Sequence, residues 1–453
     1  MSSSSWTSDA FFDEPAPLSL DGGSTSAGHL WHSISPRWGH SMHTMCSYHG
    51  MFPARLAHYF IQMYSSPGDL VADPFSGRGT VALQARVEGR RSLSGDLSPL
   101  GFVLTAAKSE PPGWHRMEEY IARLQEGYLA KRESRRASAP EDIEMLYHPT
   151  TLDQIVYLRN GLLRSVITDW SAEQFVLAGS LAGIMHGSQR RDGSSQFLSI
   201  GMPNTFSMSP GYVRRYIDEN SLAAPEQDVF ERLRDKLARL YLDDPAGVQG
   251  KAYNVEASEL LNGTLVSPGT VDLVITSPPY LGVVNYGASN WIRLWLLGVD
   301  DVGRDGGAGR RSLDALLDHR HTYHSYVVFM ERTLQSVERA LAPNGVAVVV
   351  VGDVATPGQA ALPLARRIWD QVGSRTGLKL VEVIEDDLPA QNKVSRIWGE
   401  TKGQATDRDC ALVLVRADRS GTPRPRKVLW DECYKDAGPD AAHARLHQVR
   451  AEL

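Results

Sequence analysis

Cysteine is scarce in this sequence: Cys46, Cys410 and Cys433 are the three that occur among 453 residues. None of them lies in a C-x-x-C or similar spacing, so the sequence supports neither a disulfide framework nor a zinc site, and we expect no metal. Cys410 is expected to be an ordinary core residue.

Long apolar runs are lacking as well. No stretch approaches the ~20 residues that a membrane span needs. The N-terminus, "MSSSSWTSDAFFDEPAPLSLDGGSTSAG", has neither the basic start nor the continuous apolar segment of a secretion signal. We therefore expect a flexible tail at the N-terminus and a cytoplasmic location.

An excess of positive charge is also absent, since the formal net charge is −6. Any binding of nucleic acid must therefore come from local basic patches. The pairs Arg190–Arg191 and Arg214–Arg215 supply such patches in a stretch that is rich in Ser, Asn and Tyr. The alternative is that these arginines form solvated faces without a partner.

The stretch "GDLVADPFSGRGTVALQA", residues 68–85, runs from a short apolar strand through a glycine-rich loop into a helix. A second short strand, "SLSGD", closes on Asp96. This series is a βαβ unit of the nucleotide-binding kind. Gly77 and Gly79 have no side chain to block a ligand, while Asp73 would repel a triphosphate and fits a cationic ligand or a ribose better.

Helical patterns replace this alternation between about 111 and 250, and strand signals return with "VDLVI" and three later apolar segments. A helical insertion inside one α/β domain explains the change better than two tandem domains. The predicted boundaries are a tail at 1–30, the first half of the α/β domain at 31–110, the insertion at 111–250, the second half at 251–420 and a C-terminal extension at 421–453.

A second special loop follows a strand in "VDLVITSPPYLGVVNY", residues 271–286. Two prolines hold this corner rigid, because they restrict φ and have no N–H group. The corner presents one hydroxyl and one aromatic ring. We expect it to share a pocket with the glycine-rich loop; the alternative is a tight proline turn without chemistry.

The segments "DPFSGRGT" and "TSPPY" together resemble the paired motifs of the amino-methylating DNA methyltransferases. These enzymes transfer a methyl group from S-adenosyl-L-methionine to N4 of cytosine or N6 of adenine. The resemblance covers roughly 45–110 and 250–416. It implies a doubly wound, mostly parallel seven-stranded Rossmann-like α/β sheet that carries the large helical insertion, with the cofactor half before the catalytic half.

The resemblance also implies which residues hold the cofactor. Phe52 and Pro53 correspond to the motif near its methionine end, Asp96 to the ribose position and Glu256 to the adenine contact. The full set is Phe52, Pro53, Asp73, Phe75, Gly77, Gly79, Thr80, Asp96 and Glu256. As alternatives, Asp96 is an N-cap of the following helix and Glu256 a solvated residue at a helix start.

The catalytic residues implied are Ser277, Pro278, Pro279 and Tyr280. An exocyclic amino group is a poor nucleophile, because its lone pair is delocalised into the ring. The hydroxyl of Ser277 and the carbonyl of Pro278 would accept its two N–H bonds and stabilise a pyramidal nitrogen. Tyr280 would stack on a base flipped out of the duplex.

Ser at the first position of the catalytic motif favours N4 of cytosine, with N6 of adenine as the alternative. Double-stranded DNA is the expected partner, together with cognate restriction or phage-defence subunits, and the protein would be bacterial and nucleoid-associated.

The insertion is the first candidate for target recognition, through Arg190, Arg191, Arg214 and Arg215, and scaffolding is its alternative role. Asp353 and the stretch 391–399 are further candidates for lining the base pocket. An RNA base methyltransferase and a non-catalytic DNA-binding specificity subunit remain as other functions.

Overall fold

The fold is taken from a computed structural model of the chain. It describes residues 24–26, 31, 34–35, 38–48, 50–130, 138–188, 195–202, 208–279, 286–299, 322–353, 363–387 and 408–430. Among the helices in these ranges, none combines the length and apolar character that a membrane crossing requires.

A single sheet of eight strands organises the described chain. The strands are β1 (Ser24–Ser26), β2 (Leu70–Asp73), β3 (Arg91–Gly95), β4 (Gly250–Tyr253), β5 (Val271–Thr276), β6 (Leu341–Gly352), β7 (Leu378–Asp387) and β8 (Arg408–Arg416). Their order across the sheet is β1, β7, β8, β6, β5, β2, β3, β4. The apolar runs seen in the sequence supply the central strands, as expected for strands that are buried on both faces.

All neighbouring strands run parallel except where β8 pairs antiparallel with β6 and β7. The doubly wound, mostly parallel fold is thereby confirmed. The seven predicted strands are joined by one more, β1, which pairs with the outer strand β7 and lies within the segment predicted to be a tail. The domain boundaries themselves stay predictions.

Fourteen α-helices lie in the described ranges. They are α1 (Ala54–Tyr64), α2 (Thr80–Val87), α3 (Pro99–Ser109), α4 (Trp114–Leu129), α5 (Glu141–Glu144), α6 (Pro149–Leu162), α7 (Ala172–Ile184), α8 (Pro210–Asn220), α9 (Val229–Leu240), α10 (Ala257–Leu260), α11 (Tyr286–Ser289), α12 (Trp291–Leu296), α13 (Tyr323–Ala340) and α14 (Leu364–Val372). Short 3-10 turns occupy Ser41–Thr44, Ile167–Asp169 and Gly373–Arg375.

Both faces of the sheet are covered. One face packs against α1 and α2, and the other against α10, α13 and α14. This two-sided burial is what a parallel sheet needs. Every strand of the parallel part ends at the same edge, and the chain crosses over between β2 and β5, where ligands bind in open α/β sheets.

The helical insertion shares a third hydrophobic core with α3 and α12. Its helix α7 is buried along most of its length and contacts α3 directly. At Gly183 an added Cβ would lie 1.9 Å from the carbonyl oxygen of Met45, so the helix backbone approaches the segment before the first domain helix very closely. These helices therefore pack as part of the same body as the sheet and its helices.

Candidate active site

The two loops singled out in the sequence meet at the carboxyl ends of β2 and β5. The hydroxyl of Thr276, the last residue of β5, donates a hydrogen bond of 2.7 Å to the carboxylate of Asp73, the last residue of β2. Both loops line one cavity of about 540 Å³. Of the predicted site residues, those that line it are Phe52, Asp73, Phe75, Gly77, Thr80, Asp96, Glu256, Ser277 and Pro279.

Asp73 is the most buried carboxylate of the cavity, with 4% of its surface exposed. Burial raises its pKa to about 7, although the bonds that it accepts from the Thr276 hydroxyl and from the N–H of Phe75 favour the charged form. Asp73 is thus held close to its ionisation point by two opposing effects.

Asp96 directly follows β3, the strand that pairs with β2, and both of its oxygens are engaged. One accepts the N–H of Gly77 at 2.7 Å and the other the N–H of Ser98 at 2.8 Å. Burial raises its pKa to about 6, and these two bonds oppose the shift. The N-cap of α3 is Ser98, so the alternative role of Asp96 as a helix cap is not what the structure has.

Gly77 and Gly79 both have positive φ angles, +52° and +74°, but the two glycines have different structural roles. Gly77 lines the cavity. Gly79 does not: a Cβ there would lie 2.8 Å from the Cα of Thr105, so its missing side chain lets α2 start against α3. Gly79 therefore supports the loop by allowing α2 and α3 to pack closely, on the side away from the cavity lining.

Glu256 is exposed at the residue that precedes α10, makes no capping bond, and accepts a hydrogen bond of 2.7 Å from the Ser258 hydroxyl. It nevertheless lines the cavity. The neighbouring Asn254 donates to the carbonyl oxygens of Asp96 and Leu97, at 2.8 and 3.2 Å. This amide joins the end of β4 to the end of β3 beside the cavity.

At the Ser-Pro-Pro corner, Ser277 and Pro279 line the cavity, and Pro278 lies between them. Tyr280 lies outside the described residues. Pro53 is exposed immediately before α1 and does not line the cavity.

Two tyrosines that the sequence did not point to also line the cavity. Tyr48 and Tyr286 face each other with ring centroids 5.9 Å apart. Burial, followed by the charge of Asp96, raises the pKa of both hydroxyls, so both stay neutral. Tyr48 lies in a segment without helical or strand periodicity, and Tyr286 is the last residue of the stretch 271–286. Neither position therefore has a sequence pattern that predicts a place in the cavity.

Arg78 is a third residue that sequence reasoning missed, although it stands between the two glycines of the loop. Its guanidinium donates to the carbonyl oxygens of His43 and Phe52, at 3.1 and 3.5 Å. Burial lowers its pKa to about 10, so it remains a cation at neutral pH. The cavity is therefore lined by a cation, Arg78, as well as by carboxylates that include Asp73 and Asp96.

Comparison with known proteins gives a family model, curated relatives and solved structures that resemble this chain. Residues 11–103 match the family model of the N6/N4 DNA methylases, described as DNA methylase. The type II methyltransferase M.BsoBI of Geobacillus stearothermophilus is 23% identical over 342 residues, which are 68% of this chain and 63% of that protein. M.PvuII of Proteus hauseri is 44% identical over 48 residues, 11% of this chain and 14% of that one.

Over residues 11–103 the chain is therefore similar to the amino-methylating DNA methyltransferase family. It spans less than two thirds of the length of these relatives. Among solved structures, a DNA modification methylase of Thermus thermophilus in complex with S-adenosyl-L-methionine matches with a TM-score of 0.22 at 20% identity, over 41% of this chain and 58% of that one.

S-adenosyl-L-methionine is the cofactor of this family, and the chemistry of the cavity fits it. The cofactor carries an ammonium and a sulfonium charge, a carboxylate and two ribose hydroxyls. Carboxylates suit the ammonium and the hydroxyls, and a guanidinium suits the carboxylate. The cavity presents both kinds of group, in Asp73, Asp96 and Arg78.

The remaining predicted residues lie away from this cavity or outside the described ranges. Arg190, Arg191 and the stretch 391–399 lie outside them. Arg214 and Arg215 are exposed on α8, and Arg214 is ion-paired with Glu141 and Asp142 at 3.1 and 2.7 Å.

Asp353 follows β6, is 8% exposed and does not line the cavity. It was a candidate for the base pocket. Burial raises its pKa to about 6.

Binding of S-adenosyl-L-methionine to this protein should tighten as the pH rises from about 5 to about 7.5. The pKa values of Asp73 and Asp96 are raised to about 7 and about 6 by burial. A cationic ligand prefers both carboxylates ionised, so binding must release protons in this range. Isothermal titration calorimetry at several pH values, in two buffers of different ionisation enthalpy, measures both the affinity and the protons released.

The matched control is Asp73→Asn, which should bind more weakly and lose the upper part of the pH dependence. An affinity for the wild-type protein that is flat or falls across this range would contradict the assignment of these carboxylates to the ligand.

Proposed function

We propose that this protein transfers a methyl group from S-adenosyl-L-methionine to the exocyclic amino group of a base flipped out of double-stranded DNA, with N4 of cytosine as the favoured acceptor. The observation that carries the proposal is the Thr276–Asp73 hydrogen bond. It holds the glycine-rich loop and the Ser-Pro-Pro corner side by side in one cavity, as transfer between two bound groups requires.

The residues that would hold the cofactor divide by charge. Asp73 would accept from the ammonium group and Asp96 from the ribose hydroxyls. Arg78 would pair with the carboxylate beside Phe52, whose carbonyl oxygen it already contacts, and Glu256 would reach the adenine. Phe52, Pro53, Phe75, Gly77, Gly79 and Thr80 would shape the loop around the ligand.

When bound, the cofactor supplies an electrophilic methyl group. The chain's own contribution is to orient the attacking nitrogen. The Ser277 hydroxyl and the Pro278 carbonyl accept its N–H bonds, and the two prolines offer no competing N–H. Tyr280 stacks on the flipped base, which offsets part of the few kcal/mol that flipping costs. No covalent bond between enzyme and base is needed.

Ser277 at the first position of the motif supports N4 of cytosine over N6 of adenine, which remains the alternative acceptor. Relatives named type II methyltransferases support a restriction-modification or phage-defence setting with cognate subunits. DNA contacts are assigned to the insertion, through Arg190, Arg191, Arg214 and Arg215.

Ser277→Ala should lower kcat for methyl transfer by about 10²–10³-fold, because one preorganised acceptor is lost at the reacting nitrogen. The affinity for S-adenosyl-L-methionine should stay close to that of the wild-type protein, since the cofactor groups are held by Asp73, Asp96 and Arg78. Single-turnover transfer of a labelled methyl group to duplex DNA, together with calorimetry, measures both. Ser336→Ala, on the partly exposed side of α13, is the matched control and should behave as wild type. Wild-type kcat in Ser277→Ala would show that the corner is merely a turn.

Arg215→Ala should lower the slope of log K against log salt for DNA binding by about one unit, as loss of one phosphate contact does. Arg214→Ala should change the slope less, because its charge is already shared with Glu141 and Asp142. Fluorescence anisotropy with a labelled duplex over a salt series measures both slopes. Unchanged slopes in both variants and in the quadruple variant that also lacks Arg190 and Arg191 would leave the insertion as scaffolding.

A further inference from the structure

Tyr286, the first residue of α11, lines the cavity together with Ser277 and Pro279. Its ring centroid lies 5.9 Å from that of Tyr48, which also lines the cavity. Whatever fixes the main chain of Tyr286 therefore fixes part of the cavity wall.

A chain of three hydrogen bonds connects Tyr286 to the helical insertion. The amide nitrogen of Asn290 donates to the carbonyl oxygen of Tyr286 at 2.9 Å, and its amide oxygen accepts from Arg293 at 3.0 Å. Arg293 in turn donates through Nε to the carbonyl oxygen of Ala182 on α7 at 3.2 Å. We call these contacts the Arg293–Asn290 relay.

The relay is almost fully removed from water, with Asn290 2% and Arg293 1% exposed. A buried amide or guanidinium that loses a partner is costly, so these bonds are held firmly. One side-chain amide uses its donor on the cavity side and its acceptor on the insertion side. The relay thus transmits the position of α7 to the main chain of Tyr286.

Two other contacts attach α12 to the insertion without touching Tyr286. The indole N–H of Trp291 donates to the carbonyl oxygen of Met208 at 2.7 Å. Arg159 on α6 donates to the carbonyl oxygen of Trp295 at 2.8 Å and lies over its ring at 4.9 Å. These contacts hold α12 in place, whereas the relay reaches the cavity.

We propose that Asn290 and Arg293 are positioning residues that hold Tyr286 in the cavity wall, and that the insertion braces the active site through them. The proposal rests on the proposed methyl transfer at Ser277. It gives the insertion a task at the active site that is separate from any contact with DNA.

Asn290→Asp tests the relay selectively. The variant keeps an acceptor for Arg293 but replaces the donor to Tyr286 by an oxygen that repels the carbonyl. Methyl transfer should lose about tenfold or more in kcat, because a small misplacement of reacting groups is enough for that. The affinity for S-adenosyl-L-methionine should change less than about threefold, as Asp73, Asp96 and Arg78 are untouched.

Hydrogen–deuterium exchange gives a readout that does not depend on activity. In Asn290→Asp, peptides that contain residues 286–289 should take up deuterium faster, while those of α7 should be unchanged. Arg293→Met should reproduce both effects, and Arg293→Lys should restore part of kcat.

Arg159→Met is the matched control: it also removes an arginine that ties α12 to the insertion, but outside the relay. It should lower the melting temperature and leave kcat at the wild-type level. Equal losses of kcat in Arg159→Met and Asn290→Asp would overturn the proposal, since general loosening would then explain both. Wild-type kcat and exchange in Asn290→Asp would overturn it as well. A wild-type protein without methyl transfer would refute the proposed function instead, and the exchange data would still decide the relay.

Discussion

The hydrogen bond between the Thr276 hydroxyl and the Asp73 carboxylate is the contact on which the rest of the site depends. It spans β2 and β5, the two strands between which the direction of chain crossover changes. Because the carboxyl ends of these strands are neighbours, one short side-chain contact aligns a loop that follows the first strand with a loop 203 residues later. It also keeps Asp73 partly in its charged form against the cost of burial.

Around this contact, charged and polar side chains from separate elements line the cavity. Asp96 is fixed by two main-chain N–H groups, and Asn254 ties the adjacent strand ends together. Arg78 is held by main-chain carbonyl oxygens, so it keeps its charge without a carboxylate to neutralise it in those bonds. Preorganised charges of both signs suit a ligand that carries both.

The sheet and both loops could be predicted from the sequence because their signals are local. Apolar runs give the strands, two short motifs mark the loops where Asp73 and Ser277 stand, and Asp96 closes the second short strand. The edge strand β1 was missed, since three small polar residues have no apolar pattern. The Arg293–Asn290 relay could not be foreseen either, because Ala182 and Arg293 lie 111 residues apart and their meeting depends on how α7 packs. The tight contact at Gly183 is of the same kind: it appears only once the helices are assembled.

The insertion therefore contributes to the packing around the cavity, in addition to carrying the arginines that are proposed to contact DNA. It shares a core with α3 and α12, and Tyr286 packs against that core, so the packing of the insertion and the position of Tyr286 in the cavity wall are coupled. The central claim is methyl transfer to an exocyclic amino group of DNA. The most direct test incubates the purified protein with duplex DNA and S-adenosyl-L-methionine labelled in its methyl group, digests the DNA to nucleosides and identifies the labelled product by mass spectrometry. Labelled N4-methylcytosine is the expected product; DNA without any labelled methyl group, from a protein that binds the cofactor, would contradict the proposed methyl transfer.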